Sequence, residues 1–292
     1  MKHKPEFVAA LALSLLVIVL GACSSVKPAV GPQKPVLLVV SFGTSYNESR
    51  VNTIEAIEKT LAAAYPDYEQ RRAFTSQIII DKLKKRDGLK IDNVTAAMKR
   101  LRSDGVKQVV VQPTHVMSGH EYDDVIAEIK PFEKYFDRIQ YSLPLLISDQ
   151  DYTDIVTIIT DETKQYADDN TAVVFMGHGT EHEANATYAK LNRQLQARGF
   201  SRYLIGTVEA EPTLEDVIAE TRKLNVKRVV LLPLMIVAGD HANNDMAGDE
   251  EDSWKTVFES YGYEVVPVLR GLGEYPGVRD MFVRHVRSAI GG

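Results

Sequence analysis

His178, Glu209 and His241 supply two imidazoles and a carboxylate, separated by 31 and 32 residues. Such groups can hold a borderline divalent transition metal such as cobalt, iron, nickel or zinc, and they can also accept protons. The spacing is too long for a local metal motif of the HExxH kind, so only the fold can bring the three together. A duplication singles them out. VLLVVSFGTSY (Val36 to Tyr46) matches AVVFMGHGTEH (Ala172 to His182), and GVKQVVVQPTHVMSGHE (Gly105 to Glu121) matches NVKRVVLLPLMIVAGDH (Asn225 to His241). Residues common to both copies serve the scaffold, and residues present in one copy are candidates for chemistry. The alignment sets Phe42 opposite His178, Gln77 opposite Glu209, Glu121 opposite His241 and His115 opposite Met235.

The elements that must position these residues are legible as Val-, Leu- and Ile-rich runs alternating with amphipathic segments, the pattern of strands buried on both faces with crossover helices between them. Strands are predicted at Val36–Ser41, Tyr68–Phe74, Gln108–Thr114 and Ile139–Ser142, then at Ala172–Met176, Tyr203–Thr207, Arg228–Leu234 and Glu264–Val268. Helices are predicted at Ser49–Ala64, Ile78–Lys85, Asn93–Asp104, Tyr122–Tyr135, Asp151–Asp168, Asn185–Arg198, Thr213–Leu224 and Asp252–Tyr261. A last helix, Val278–Ile290, follows Pro276-Gly277 and is expected to pack back across both halves. The fold class is α/β, with two similar lobes, each a parallel sheet of about four strands flanked by helices, around an inter-lobe cleft. The turn-forming stretch Pro144 to Asp149 divides a lobe at residues 35–148 from one at 149–292 that carries the metal site. His178, Glu209 and His241 all follow predicted strands, at the edge where parallel sheets gather functional groups.

Composition bounds the rest. The 292 residues are 45% apolar with a net charge of -6, a globular composition whose acidity argues against nucleic acid as a partner. Residues 1–23 read as an export signal: Lys2 and Lys4 precede an apolar run from Phe7 to Leu20, shorter than a membrane-spanning helix, followed by Leu20-Gly21-Ala22-Cys23. Cys23, the only cysteine, stands where lipoprotein signals place the acylated residue, so the expectation is a periplasmic protein tethered to lipid through Cys23 and the 24–34 linker. No disulfide can form, and the core alone must hold the fold.

The chain resembles the anaerobic cobaltochelatases, class II chelatases that insert cobalt into sirohydrochlorin, and more distantly the ferrochelatases. The resemblance runs from Lys34 to the C-terminus and is carried by VVSFGTSY, AFTSQIII, QPTHVMSGHEYD, MGHGTEHEAN, GTVEAEPT and the AGDHANNDMAGDEEDSW loop. In that family a His, a Glu and a second His bind the incoming metal, and they fall on His178, Glu209 and His241. The resemblance implies ATP-independent insertion of Co2+, or Fe2+, into the tetrapyrrole with release of two protons. It casts His178 as principal ligand and base, Glu209 as charge partner and proton relay, and His241 as the ligand from the opposite loop. No P-loop or GxGxxG is present, so no nucleotide is implied.

Sirohydrochlorin carries eight carboxylates, and Ser41, Thr44 and Ser45, placed before the first long helix, with Thr75, Ser76 and Gln77, are the candidate donors for them. His115 reads either as a cleft-wall residue touching substrate or as a satisfied core histidine. His120 reads as a solvated loop residue, a second metal ligand or an axial ligand for haem, and His182 as a surface residue or a metal-collecting group. Glu211 and Glu215 rival Glu209, although both also suit a helix N-terminus. The acidic run Asp245 to Asp252 reads as a solvated face beside His241. A lipid-anchored carrier that binds metal or tetrapyrrole without turnover is the competing function; a hydrolase is disfavoured because no nucleophile lies at the GHG turn. Homo-oligomers are compatible with the sequence.

Overall fold

The computed structural model describes Met1 and residues Lys34–Gly291. Cys23 and the predicted signal segment lie outside the described residues. Eight strands form, β1 (Val36–Ser41), β2 (Glu69–Phe74), β3 (Gln108–Pro113), β4 (Arg138–Tyr141), β5 (Thr171–Gly177), β6 (Tyr203–Thr207), β7 (Arg228–Pro233) and β8 (Glu264–Pro267). Every pairing is parallel, giving two four-stranded sheets in the same order, β2-β1-β3-β4 and β6-β5-β7-β8. All residues of β1 and β5 are buried, which is why these two runs are apolar without interruption.

Parallel strands require crossovers, and the chain supplies α1 (Asn47–Asn52), α2 (Ile54–Ala64), α3 (Gln77–Asp87), α4 (Val94–Ser103), α5 (His120–Ile129), α6 (Asp149–Thr163), α7 (Ala186–Ala197), α8 (Leu214–Lys223), α9 (Trp254–Ser260) and α10 (Pro276–Gly291). One apolar cluster runs through both lobes, with Leu37, Val39 and Val110 of the first sheet joined to Val173, Phe175 and Leu232 of the second. The alternate residues of the same strands face separate clusters, Val36, Leu38 and Val40 in one lobe and Ala172, Val174 and Met176 in the other. The last helix crosses as expected. α10 packs on α2, β3 and β4 of the first half and on α6 of the second, Tyr65 Oη donates to Val283 O at 2.6 Å, and the Gln140 amide donates to Ala289 O. His285 Nε2 meets Asp151 Oδ1 of α6 at 3.0 Å, and the same carboxylate closes the capping box with Ser148.

Three departures from expectation have local reasons. The predicted Ser49–Ala64 helix begins earlier, at Asn47, and is divided at Thr53, whose backbone is distorted within the helical region (φ -114°, ψ -77°) and whose hydroxyl donates back to Ser49 O at 2.5 Å. The predicted Tyr122–Tyr135 helix starts earlier, at His120, and ends at Ile129. It tightens into a 3-10 turn over Lys130–Tyr135, where Pro131 cannot supply an amide hydrogen. A single π-helical turn, Ala242–Met246, which sequence periodicity does not signal, follows His241. In each sheet the chain order reverses between the two central strands, so the crevice lies at their C-terminal ends.

Candidate metal centre

The loops after β5, β6 and β7 carry His178, Glu209 and His241, and the backbone brings them together before any side chain acts. Val208 N donates to Gly177 O at 3.1 Å and Glu209 N to His178 O at 2.9 Å, so the first two loops are zipped side by side. Glycine makes this approach feasible on both sides of His178. A Cβ on Gly177 would lie 2.2 Å from the Tyr188 ring, and Gly179 sits at φ +86° with an added Cβ 2.8 Å from Ala210 N.

One ligand atom from each of His178, Glu209 and His241 lies within 4.8 Å of the others. The two imidazoles stand edge to face, with centroids 4.6 Å apart, and Glu209 Oε2 is 3.6 Å from His178 Nδ1. Each histidine is already oriented through Nδ1, that of His178 bonding Gly179 O at 2.8 Å and that of His241 meeting Asp245 Oδ2 at 2.6 Å. With both Nδ1 atoms acting as donors, the Nε2 lone pairs are left for a metal. Asp245 reaches His241 from the π-helical turn at i+4. The sequence shows that spacing, but it reads as part of a solvated acidic run.

These residues open on a cavity of about 770 Å³ lined from both lobes. Glu121, Glu181, Glu209 and Asp240 line it, and Lys82 is the one Lys or Arg among the described lining residues. That balance attracts a divalent cation. Glu121 faces the centre from the first lobe. Its carboxyl is held above the ordinary carboxylate range, first by desolvation, with Asp124 and Glu209 adding to the rise and His178 opposing it. Sequence reasoning noted Glu121 only as the counterpart of His241; that equivalence was the signal for it.

Backbone hydrogen bonds also give the true equivalences of the duplication. In the first lobe Thr75 N donates to Ser41 O and Ser76 N to Phe42 O, the bonds that Val208 and Glu209 make in the second. Phe42 is therefore the counterpart of His178, as aligned, but Glu209 corresponds to Ser76 and not to Gln77. Asp123 N to Gly119 O and Asn243 N to Gly239 O, both 3.1 Å, keep Glu121 equivalent to His241.

The remaining candidates separate. Gln77 bonds Asp81 and Asn93 at 3.0 Å each, and neither it nor Thr75 lines the cavity, whereas Ser76 between them does. Ser41, Thr44 and Ser45 line the cavity but are buried. Ser41 Oγ is engaged by Thr114 Oγ1 at 2.8 Å and Thr44 Oγ1 by Tyr46 N at 3.2 Å. They do not stand at the start of a long helix, because α1 begins at Asn47, has six residues and takes Tyr46 at its cap position. His120 lines the cavity edge-on to His182, centroids 4.8 Å apart. His182 Nδ1 accepts from Ala184 N at 3.0 Å and its Nε2 points at Asp123 Oδ2, 3.6 Å away, so this ring bridges the lobes with no free lone pair for a metal.

His115 is buried against the cavity, and neither ring nitrogen has a hydrogen-bond partner; Glu121 Oε2 is 3.8 Å from Nε2. It is thus not the satisfied core histidine that one reading expects. Burial pushes its pKa down to about 4. The unfolded chain binds a proton there near pH 6.5 and the folded chain does not, so this residue makes stability fall as the pH drops from about 6.5 to 4. We predict that wild type loses on the order of 3 kcal/mol more than His115→Met over that interval. Denaturant unfolding at pH 7 and pH 4 measures this, and equal losses would contradict it.

Residues 35–291 match the family model described as cobalt chelatase (CbiK). The chain is 42% identical over 257 residues to a sirohydrochlorin cobaltochelatase of Salmonella typhimurium, covering 88% of this chain and 97% of that one. It is 32% identical over 274 residues to the sirohydrochlorin cobaltochelatase CbiKC of Nitratidesulfovibrio vulgaris, covering 92% and 96%. Among solved structures, SirB from Bacillus subtilis with Fe3+ superposes with a TM-score of 0.62 at 16% identity, over 88% of this chain and 96% of that one. The siroheme-biosynthesis enzyme CbiX superposes with a TM-score of 0.54 at 14% identity, over 87% and 99%. At those identities the likeness speaks for the chelatase fold alone.

Proposed function

The chain belongs to the cobalt chelatase family whose model spans its residues 35–291, and from that premise we propose that it inserts Co2+ into sirohydrochlorin, as its named relatives do. The observation that carries the reading is the convergence of His178, Glu209 and His241 within 4.8 Å at the wall of a 770 Å³ cavity.

Cobalt is a substrate here, as is the metal-free pigment. His178 and His241 hold the ion through Nε2, and Glu209 offsets part of its charge. As the four ring nitrogens replace the protein ligands, two N–H bonds break, four N–Co bonds form and two protons leave. The Nε2 of His178, released by the metal, accepts one proton. Glu209 lies 3.6 Å from that ring with about half of its side chain exposed, and it relays protons to water. Glu121 lines the same cavity from the first lobe, and its carboxylate is the acceptor for the second proton. The test is turnover: protein far below the pigment concentration, mixed with Co2+ and sirohydrochlorin, converts the absorption spectrum completely. A change limited to one equivalent per protein would instead mark a carrier.

Export to the periplasm belongs to the same proposal. It is supported by Lys2 and Lys4, the apolar run Phe7 to Leu20 and the Leu20-Gly21-Ala22-Cys23 sequence. Among the described residues no helix is long and apolar enough to cross a membrane. Attachment through a lipid at Cys23 is supported by the apolar run Phe7 to Leu20, which is shorter than a membrane-spanning helix. Cys23→Ser is expected to move the protein from the membrane fraction to the soluble one, and an unchanged distribution would refute the anchor.

A further inference from the structure

Lys82, Lys84, Lys85, Lys90, Lys99 and Lys107 stand exposed on α3, α4 and the turns that follow them. None of the six has an ion-pair partner among the described residues, where the paired lysines are Lys190, Lys223 and Lys255. The acids of the same stretch are already engaged. Asp81 accepts from Gln77 Nε2 at 3.0 Å, Asp87 and Asp92 pair with Arg86 and Arg100 at 2.6 Å, and Asp104 pairs with Arg71 at 3.0 Å. Residues 78–107 hold nine Lys or Arg against four Asp, a net +5 in a chain of -6, which leaves -11 on the rest. An acidic protein thus keeps one stretch of uncompensated positive charge.

Helix α3 shows how that charge is turned outward. Ile80 and Leu83 are its buried residues, while Ile78, Lys82 and Lys85 fall at i, i+4 and i+7 and share the opposite side. Ile78 is 81% exposed, so this side offers one apolar group beside its cations. Asn93 Nδ2 donates to Gln77 Oε1 at 3.0 Å, which ties the start of α4 to the start of α3. On α4 the buried residues include Met98 and Leu101, and Lys99, Arg100 and Arg102 are left exposed.

Resting on the reading of Cys23 as a lipid attachment point, we propose that this lysine face docks the first lobe on a membrane surface rich in anionic phospholipid. The eleven residues from Cys23 to Lys34 span at most about 40 Å when fully extended, so a lipid at Cys23 keeps the domain beside the bilayer. The tether leaves open which side of the domain faces the membrane. Headgroup phosphates supply the counter-charges that the lysines lack, over a range of about 8 Å at physiological salt. Ile78 enters the interfacial layer as an apolar contact. The negative charge on the rest of the chain turns its other sides away from the same surface. Because the tether supplies a high local concentration, the face needs little affinity of its own: it orients the protein and does not anchor it. Ile78 and Lys82 also line the cavity, so the docked lobe presents the cavity mouth at the membrane.

Amine labelling of the full acylated chain, isolated from membranes and reconstituted into vesicles, tests the proposal, with each lysine read by peptide mass spectrometry. One set of vesicles is phosphatidylcholine alone, and the other contains about three parts in ten of phosphatidylglycerol. Labelling of Lys82, Lys84, Lys85 and Lys90 is expected to fall about fivefold or more on the anionic vesicles and to recover in about 0.5 M salt. Lys223 and Lys227 of the second lobe label equally on both. Lys85→Glu with Lys90→Glu removes the protection of Lys82 and Lys84, whereas Lys85→Arg with Lys90→Arg keeps it; thermal melts report that both variants are folded. Equal labelling of the wild type on the two vesicles, the result expected if an acidic protein is the partner, would overturn the docking face and leave the lipid anchor intact. A loss of labelling that persists in salt or extends to Lys223 and Lys227 would overturn it as well. Failure of the wild type to float with the neutral vesicles would overturn the anchor instead.

Discussion

His178→Ala is expected to abolish cobalt insertion, lowering turnover by about a thousandfold or more, and to leave the protein folded. The size of the loss follows from the two tasks assigned to one imidazole: it is a metal ligand, and once the metal moves it accepts a pyrrole proton, a role alone worth roughly 10²–10⁴-fold. The fold survives because the side chain is about half exposed and its hydrogen bond runs to the neighbouring Gly179 carbonyl. The first lobe also shows the same turn built with Phe42 in its place. Initial rates from pigment absorption, together with a thermal melt, measure both halves of the expectation. Activity within tenfold of wild type would show that His178 is not the working group.

His241→Ala produces the second-largest effect, and it falls mainly on the metal. Replacing a metal–imidazole bond by water is expected to remove about 3 kcal/mol, which is on the order of a hundredfold in the KM for Co2+. The fall in kcat is smaller than for His178→Ala, since the proton acceptors Glu209 and Glu121 are untouched. Asp245, which holds the ring through Nδ1 at 2.6 Å, loses its partner in this variant. It lies partly exposed at the cleft, where water can replace the bond, so folding is unaffected. The split between KM and kcat is the readout; a fall in kcat alone would move His241 from metal binding to the chemical step.

How much of this was legible in the sequence depends on what each feature rests on. Strands buried on both faces announce themselves as unbroken apolar runs, so β1, β3, β5 and β7 and the repeat that relates them could be read directly, and with them His178 and His241 at the strand ends. Glu209 could be picked out, but its counterpart could not. The loops after β2 and β6, FTSQ and TVEA, share too little to fix their register, and only the backbone bonds to Phe42 and His178 show that Ser76, not Gln77, is equivalent. The break at Thr53 and the π-helical turn after His241 arise from packing and local bonds that periodicity does not encode. Asp245 was hidden because a carboxylate in an acidic run looks like any other until its distance to a histidine is known. The unpartnered state of His115 is a property of its surroundings and has no signature in the residues beside it.

In the proposed metal centre a single cobalt ion is gripped by three side chains from three strand ends before it is delivered. Anomalous scattering at the cobalt edge, from crystals of the protein equilibrated with Co2+ and no pigment, tests it most directly. The account predicts one dominant peak, bonded to Nε2 of His178, Nε2 of His241 and a carboxylate oxygen of Glu209. A dominant peak elsewhere in the cleft, at His120 for example, with the three side chains unliganded, would contradict it.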